Sequence, residues 1–576
     1  MGSVLACPSC SPSNTRTNLL RQDARALPAE SVVELTSIVA EGPSVLYRGN
    51  VVLCTRDAFE LAQVGKREVL KRRFGLASTV GFACSLMLTW EAFLMLCVGV
   101  NLVPSGGPAG LVYGYIAVWT GFISIFTALG ELASMIPSAG GQYHWASILA
   151  PESSKRFISH VTGDGSICII AWTAVPTGAV YVAGSILQNA VAMKRPEYEP
   201  QGWHVTLILG GILLICAILN TWLGMILPVL EVFIGIAHVL GFFAVLIPIV
   251  YLGPKADARS VFVQTFNVGG WRDITLATFV GLKGIVGAFL GTDGVVHMVE
   301  EIANSTMVVP HSMLFAVAIN VVLGFAMLIA FLFTAGDLSA VLKSDAPYPF
   351  MQILESATQS TGAAIVFSSM IAIMQACCGL GGISSGSRML WAFSREQALP
   401  GWRWILQLNK RTSVPFHSIC VIAIAAGLIG FINIGSSVVL NIVLSLLMEA
   451  FFFSYVIPLS LLLYRRVKGH ISEPQQGDGD NKGFVWGPFR VRGWLGIANN
   501  IFALVFSGIV VILGFWPASS HPTPSHMNYS VAIFAGVLIL AVGYYLGWGR
   551  QHYMGPLAEV EVMAGTVEQR RGERGL

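Results

Sequence analysis

A succession of long apolar blocks constrains this chain more than any other feature. A helix needs about 20 mostly apolar residues to cross the hydrocarbon of a bilayer. A window of that length finds twelve blocks, at 77–98, 109–135, 161–190, 203–220, 226–252, 275–297, 309–335, 350–380, 415–432, 436–463, 494–516 and 528–549. Only 11% of residues are charged, against about 25% in soluble globular domains, so most of the surface must face lipid. The expectation is an all-α integral membrane protein of about 12 transmembrane helices. A polar N-terminal tail covers 1–72, the transmembrane domain 73–550, and a polar C-terminal tail 551–576.

An even number of spans puts both tails on one side, and the excess of Lys and Arg marks the cytoplasmic side. With the tails inside, that side receives Lys66, Arg67, Lys71, Arg72 and Arg73 before span one, and Lys155 and Arg156 after span two. Arg388, Arg395, Arg403, Lys410 and Arg411 follow span eight; Arg465, Arg466 and Lys468 follow span ten; Arg550 follows span twelve. The outer loops keep only Lys194, Arg195, Lys255, Arg259, Arg272 and Lys343. The leader reads as disordered apart from a short helix near Asp57–Lys71, and Ser472–Gly493 reads as a cytoplasmic loop.

Composition narrows the partners. A net charge of +3 is too small to imply nucleic acid. The cysteines in apolar runs (Cys84, Cys97, Cys168, Cys216, Cys377, Cys378 and Cys420) read as small packing residues, not a disulfide framework. Cys7 and Cys10 form a lone C-x-x-C with no second pair to complete a metal site. No cofactor motif appears, and no G-x-x-x-x-G-K-[ST] loop is present to power a pump. No Ser/His/Asp set or metal-ligand pair lies on a helix face, which argues against an enzyme. Secondary transport of a small molecule is what remains.

Charges within the spans point to where that transport happens, because each is costly in lipid and needs a reason. Span one holds Thr89-Trp90-Glu91-Ala92, and span six holds Lys283 and then Leu290-Gly291-Thr292-Asp293-Gly294. Gly281, Gly284, Gly287, Gly291 and Gly294 make span six a poor continuous helix. A broken helix frees N–H and C=O groups that can bind a ligand's charged ends. Spans one and six each open a five-span set, as an inverted repeat requires. Lys283 reads as a charge partner or as a ligand contact. Asp293 lies about 15 Å farther along the helix, so Glu91, reached across the bundle, is the better partner. Asp164 and Glu449 read as structural or water-facing, and Glu131, Glu300 and Glu301 as ordinary charges near water. His144, His238 and His297 lack ligand spacing and read as ordinary polar residues.

Several motifs are familiar. Ser105-Gly106-Gly107-Pro108, Leu111-Val112-Tyr113-Gly114, Glu131-Leu132-Ala133-Ser134-Met135-Ile136-Pro137 and Ala139-Gly140-Gly141-Gln142-Tyr143-His144-Trp145 resemble the fungal amino acid permeases. So do Asp293-Gly294, His297-Met298, Glu300-Glu301, Ser387-Arg388-Met389-Leu390-Trp391-Ala392-Phe393 and Ile432-Asn433-Ile434-Gly435-Ser436. Together these are similar to the GABA and choline permease branch of the amino acid–polyamine–organocation superfamily, over roughly residues 57 to 550.

The resemblance implies a five-plus-five inverted repeat of LeuT type with two extra helices, working by alternating access. It implies proton-coupled uptake of an amino acid or amine at a fungal plasma membrane, with protons, the substrate and the lipid bilayer as partners. It places substrate at Thr89, Trp90, Glu91 and Ala92 with Leu290, Gly291, Thr292, Asp293 and Gly294. It makes Gly140, Gly141, Gln142, Tyr143, His144 and Trp145 part of a gating hairpin. It sets span eight, around Ser368 and Ser369, near where sodium-coupled relatives hold their ion. The chain departs from the pattern at Trp90-Glu91-Ala92, where many relatives show G-x-G, and at Lys283, usually an apolar or proline position. Glu91, as the proton-sensitive or amine-facing carboxylate, and Lys283 are therefore the coupling candidates. A nutrient receptor on a permease scaffold and a passive exchanger are the alternatives.

Overall fold

The computed structural model describes residues 57–555, apart from 58–59, 62–65, 95–105, 152, 163–164, 337–347, 410, 474–483, 518, 524–526 and 554. Among the described residues ten helices are long and apolar enough to cross a membrane. Two further apolar helices, Leu76–Ala92 and Ile274–Gly287, are short. These two are the pieces of spans one and six, so the expected twelve spans and the two expected breaks are both present.

Span one runs over Leu76–Met87, stops at Leu88 and resumes at Thr89–Ala92. The Ser78 hydroxyl accepts the Gly75 N–H at 3.0 Å and starts the helix. Span two is Gly107–Met135, span three Gly165–Lys194, span four Gly202–Thr221 and span five Leu227–Leu252. Span six begins at Ile274, capped by the Asp273 carboxylate on the Leu276 N–H at 2.9 Å, and ends its first part at Gly287. It resumes at Gly294–His297 and finishes in a 3-10 turn at Val299–Glu301. Spans seven, ten and eleven are Ser305–Thr334, Ser437–Val467 and Gly493–Gly514. Span nine is Phe416–Gly430 with a further turn at Ile432–Gly435, and span twelve begins at Ser530 and runs through to His552.

Span eight corrects the expected 350–380. A separate helix, Pro349–Thr358, ends at Gln359 with φ +51°, and the spanning helix is Thr361–Arg395. Its 35 residues reach about 50 Å at 1.5 Å per residue. Hydropathy underestimates this helix because its second half is built of small residues. A Cβ added at Gly379 would lie 2.5 Å from Val180, at Gly382 2.9 Å from Val175, and at Gly386 3.0 Å from the Trp172 carbonyl. Small residues let the backbones of spans three and eight approach closely. Arg388 and Arg395, expected in a loop, are therefore on the helix, and Arg388 is wholly buried.

Two segments, the leader where a short helix near Asp57–Lys71 was expected and the expected loop Ser472–Gly493, are docked on the face that carries these arginines. Arg73 and Phe74 donate their N–H groups to the Glu301 carbonyl at 2.8 and 3.0 Å, and the Asn304 N–H reaches the Asp57 carboxylate at 3.0 Å. The leader's 66–74 stretch is thus non-helical, in place of the expected helix, and its Arg73–Phe74 end pairs with the end of span six. The segment after span ten pairs Ile471–Ser472 with Phe484–Val485 as a two-residue parallel ladder. It then ties to span two: the Phe489 N–H donates to the Ser134 hydroxyl at 2.9 Å and the Val491 N–H to the Glu131 carboxylate at 2.7 Å. The tails beyond 57–555, Cys7, Cys10 and Asp164 lie outside the described residues.

Candidate functional site

The break in span one is a single residue. Leu88 has φ +43° and ψ +47°, a left-handed conformation that costs a non-glycine residue roughly 1–2 kcal/mol. Such strain persists only where the surroundings over-determine it. Here the Leu88 N–H still closes on the Cys84 carbonyl at 3.1 Å, while the Thr89 N–H is drawn to the Asn320 side-chain oxygen of span seven at 3.1 Å. The break in span six is wider, over 288–293, and turns on Gly291 at φ +103°. A Cβ there would lie 3.0 Å from the Leu86 carbonyl, so glycine lets the two breaks touch. A second contact joins them, the Thr89 hydroxyl to the Ala288 carbonyl at 3.4 Å.

All nine residues expected at the substrate site are buried, but the structure sorts them into two groups. Thr89, Ala92 and residues 290–294 lie at the two breaks, Ala92 closing its turn through its N–H on the Leu88 carbonyl at 2.9 Å. Trp90 and Glu91 turn instead toward span five. The Trp90 indole donates to the His238 carbonyl at 3.2 Å, and the Glu91 carboxylate lies 2.8 Å from His238 Nδ1. Glu91 therefore pairs with His238 and not with Lys283. Lys283 donates to the Gly514 carbonyl at 2.9 Å and sits 4.0 Å from Glu449. That places it between spans six, ten and eleven. Glu449 is buried rather than water-facing.

The hairpin residues lie directly against the break in span six. Gln142 donates to the Asp293 carboxylate at 2.8 Å, and His297 Nδ1 donates to the Ala139 carbonyl at 2.9 Å. The Tyr455 hydroxyl of span ten also faces Asp293. Gly141 turns the chain with φ +57°, 3.1 Å from His297 where a Cβ would be. His144 bonds the Ser138 hydroxyl, and the Trp145 indole donates to the Ile136 carbonyl at 2.9 Å. Gln142, Tyr143, His144 and Trp145 are all buried, and Arg465 of span ten reaches the Leu149 carbonyl at the end of this segment.

On span eight, the groups that reach the breaks are not Ser368 and Ser369. Ser369 bonds the Ile365 carbonyl and lines a groove with Leu187, Lys194 and Ile365, near the other end of the helix. Cys378 meets the Leu86 carbonyl at 3.6 Å and Ser385 donates to the Gly294 carbonyl at 3.1 Å. The misplaced boundary of span eight misplaced its polar residues with it.

Sequence reasoning missed His238, Asn320 and Glu231 as parts of the site. Glu231 and His238 are two helical turns apart on span five, so they share a face. Both are wholly buried, and Glu231 accepts from the Ser85 hydroxyl at 3.1 Å. The two ionisable residues on one face of an otherwise apolar span were the available signal.

A family model described as amino acid permease matches residues 74–539. The chain belongs to the amino acid permease family. The permease is 28% identical over 486 residues to the choline transporter of Saccharomyces cerevisiae, covering 84% of this chain and 83% of that one. It is 27% identical over 507 residues to the GABA-specific permease of the same yeast, covering 86% and 85%. Among solved structures, the manganese transporter of Eremococcus coleocola aligns over 84% of the permease and 94% of its own chain, at 14% identity and a TM-score of 0.46. The permease is a multi-pass integral membrane protein that carries a small solute.

Proposed function

We propose that the permease is a proton-coupled secondary active transporter of an amino acid or a related amine, working by alternating access at the plasma membrane with both termini cytoplasmic. The observation that carries this reading is the meeting of two broken helices, at Leu88 and over 288–293, with the buried acids Glu91 and Asp293 beside them. Broken spans expose backbone groups inside the protein, where they can replace a solute's water shell. Buried acids supply the negative charge that a cationic nitrogen or a proton requires. The yeast choline transporter and GABA permease share most of their length with this chain, which favours substrates carrying such a nitrogen.

In this reading Thr89–Ala92 and Leu290–Gly294 hold the substrate, and Gly140–Trp145 forms the inner gate. The docked leader at 66–74 and the segment 484–492 brace that gate. Residues 73–550 form the transport domain.

Uptake by a permease-deficient yeast expressing the chain tests the reading, with labelled GABA, choline, and basic and neutral amino acids. One of these should accumulate, and a protonophore should collapse the accumulation. Equilibration without accumulation would point to a passive exchanger. No uptake of any of them at full surface expression would point to a receptor.

A further inference from the structure

Glu91 and His238 are both wholly buried, one just past the break in span one and the other near the middle of span five. His238 Nδ1 is 2.8 Å from one Glu91 oxygen. The second Glu91 oxygen and His238 Nε2 meet no partner among the described residues. The Trp90 indole bonds the His238 carbonyl, and the Phe242 ring packs edge-on against Trp90 at 6.3 Å. Two adjacent residues of span one are therefore fastened to one residue of span five.

The groups facing this pair carry no fixed positive charge. Span one contributes Cys84; span eight contributes Cys377 and Cys378. Span five contributes Glu231, itself bonded to Ser85, and span seven contributes the neutral Asn320 beside Thr89. No lysine or arginine among the described residues pairs with either member.

A buried acid–imidazole pair of this kind is stable with one proton. Carboxylic acid with neutral imidazole, and carboxylate with imidazolium, both have zero net charge and keep the bond. Removing that proton leaves a lone buried carboxylate, and adding another leaves a lone buried imidazolium. Each is the unpaired buried charge that protein interiors disfavour. A movement that parts span one from span five and admits water relieves this, as a cationic ligand beside Glu91 would relieve the lone carboxylate. Proton occupancy and the position of span one then bias each other reciprocally.

We propose that Glu91 and His238 together form the proton carrier of the transport cycle, with the His238 imidazole as the second seat of the coupled proton. The proposal rests on the proton-coupled reading above. Proton movement balances: one proton enters the pair from the side that is open and leaves to the other, with no bond made or broken elsewhere.

The test uses the full chain in proteoliposomes with a pH dye inside, an inward proton gradient, and labelled choline and labelled GABA as probes. Wild type should concentrate at least one probe by roughly 10-fold and carry protons with it. His238→Asn keeps an amide donor near Nδ1 but cannot titrate. It should lose that 10-fold accumulation and the accompanying proton entry, and its pH profile should flatten, while slower probe exchange stays measurable. Glu91→Gln, close in shape to the native side chain, should give the same loss. His238→Asn or Glu91→Gln with wild-type proton entry and an unshifted pH profile would overturn the pair. Wild type that moves neither probe nor any basic or neutral amino acid, or moves a probe without protons, would overturn the underlying reading and the pair with it. The wild-type measurement separates the two failures.

Discussion

Seven of the buried acids fall in two regions of the permease, and their partners differ. On the arginine-bearing face Glu300 pairs with Arg395, Glu301 with Arg388, Glu396 with Lys66, and Glu131 with Arg466. In the middle of the bundle Glu91 faces His238, Glu231 faces Ser85, and Asp293 faces Gln142. All seven acids are about equally buried. An acid opposed by Arg or Lys is satisfied in one arrangement of helices and is costly in any other. An acid opposed by an imidazole, hydroxyl or amide can change its proton or its partner. The first region locks a conformation; the second can respond to a ligand or a proton.

The largest effect should come from breaking the lock. Arg388 Nε donates to Glu301 at 2.7 Å, and its Nη1 reaches the Ser387 hydroxyl at 3.1 Å. Arg388→Ala leaves Glu301 buried and alone, which costs about 3–5 kcal/mol. The expected outcome is a sharp fall in thermal stability in detergent and in surface abundance, with Arg388→Lys intermediate. Wild-type abundance for Arg388→Ala would mean that the face is held by its docked segments rather than its ion pairs.

A smaller effect should follow at the junction between the two regions. Gln142 on the hairpin holds Asp293 at the break. Gln142→Ala removes one donor from a buried carboxylate, a loss of about 1–3 kcal/mol. Because that bond joins the 140–145 hairpin to the break in span six, the proposed site predicts a KM raised by roughly five-fold or more while abundance falls only slightly. Reduced abundance at unchanged KM would assign Gln142 to the lock instead.

How much of this was legible in the sequence follows from the same contrast. The number of spans, the break in span six and the buried Glu91 and Asp293 were readable, because cost in lipid and helix-breaking glycine are local properties; the break in span one falls on Leu88, where no glycine marks it. Partners were not. Lys283 and Glu91 had opposite charges and similar depth, yet which faces meet depends on packing across the bundle, and Lys283 turned to Glu449. His238 looked ordinary because a histidine has no ligand spacing of its own until its neighbour on another span is known. Span eight was misread for a related reason, since glycines and serines that pack against span three look polar to a hydropathy window.

Lys283 offers a test of the distinction at a third place. Its side chain is 29% exposed, and Glu449 lies 4.0 Å away. A partly exposed, loosely spaced pair contributes up to about 1 kcal/mol. Lys283→Met should therefore lower stability slightly and leave the number of protons moved per substrate unchanged. A changed stoichiometry would return Lys283 to the coupling machinery and weaken the division drawn between the regions.

A local effect concerns a buried titratable group outside both regions. His160 precedes span three and is enclosed by Phe393, Tyr544, Tyr545 and Tyr553, the last bonding Ser159 through its hydroxyl at 2.5 Å. Burial pushes the His160 imidazole down to about 4, below the ordinary value of about 6.5. The packed state therefore binds fewer protons than the opened state between those two values. Stability of this dock should be flat above about pH 6.5 and fall as pH drops from there toward 4, by about 1 kcal/mol at pH 5.5. Hydrogen exchange of residues 544–553 at pH 7.0 and pH 5.5, corrected for intrinsic rates, measures it. Faster opening at the lower pH in wild type, absent in His160→Phe, is the expected result. Equal acceleration in both would place the pH response outside His160.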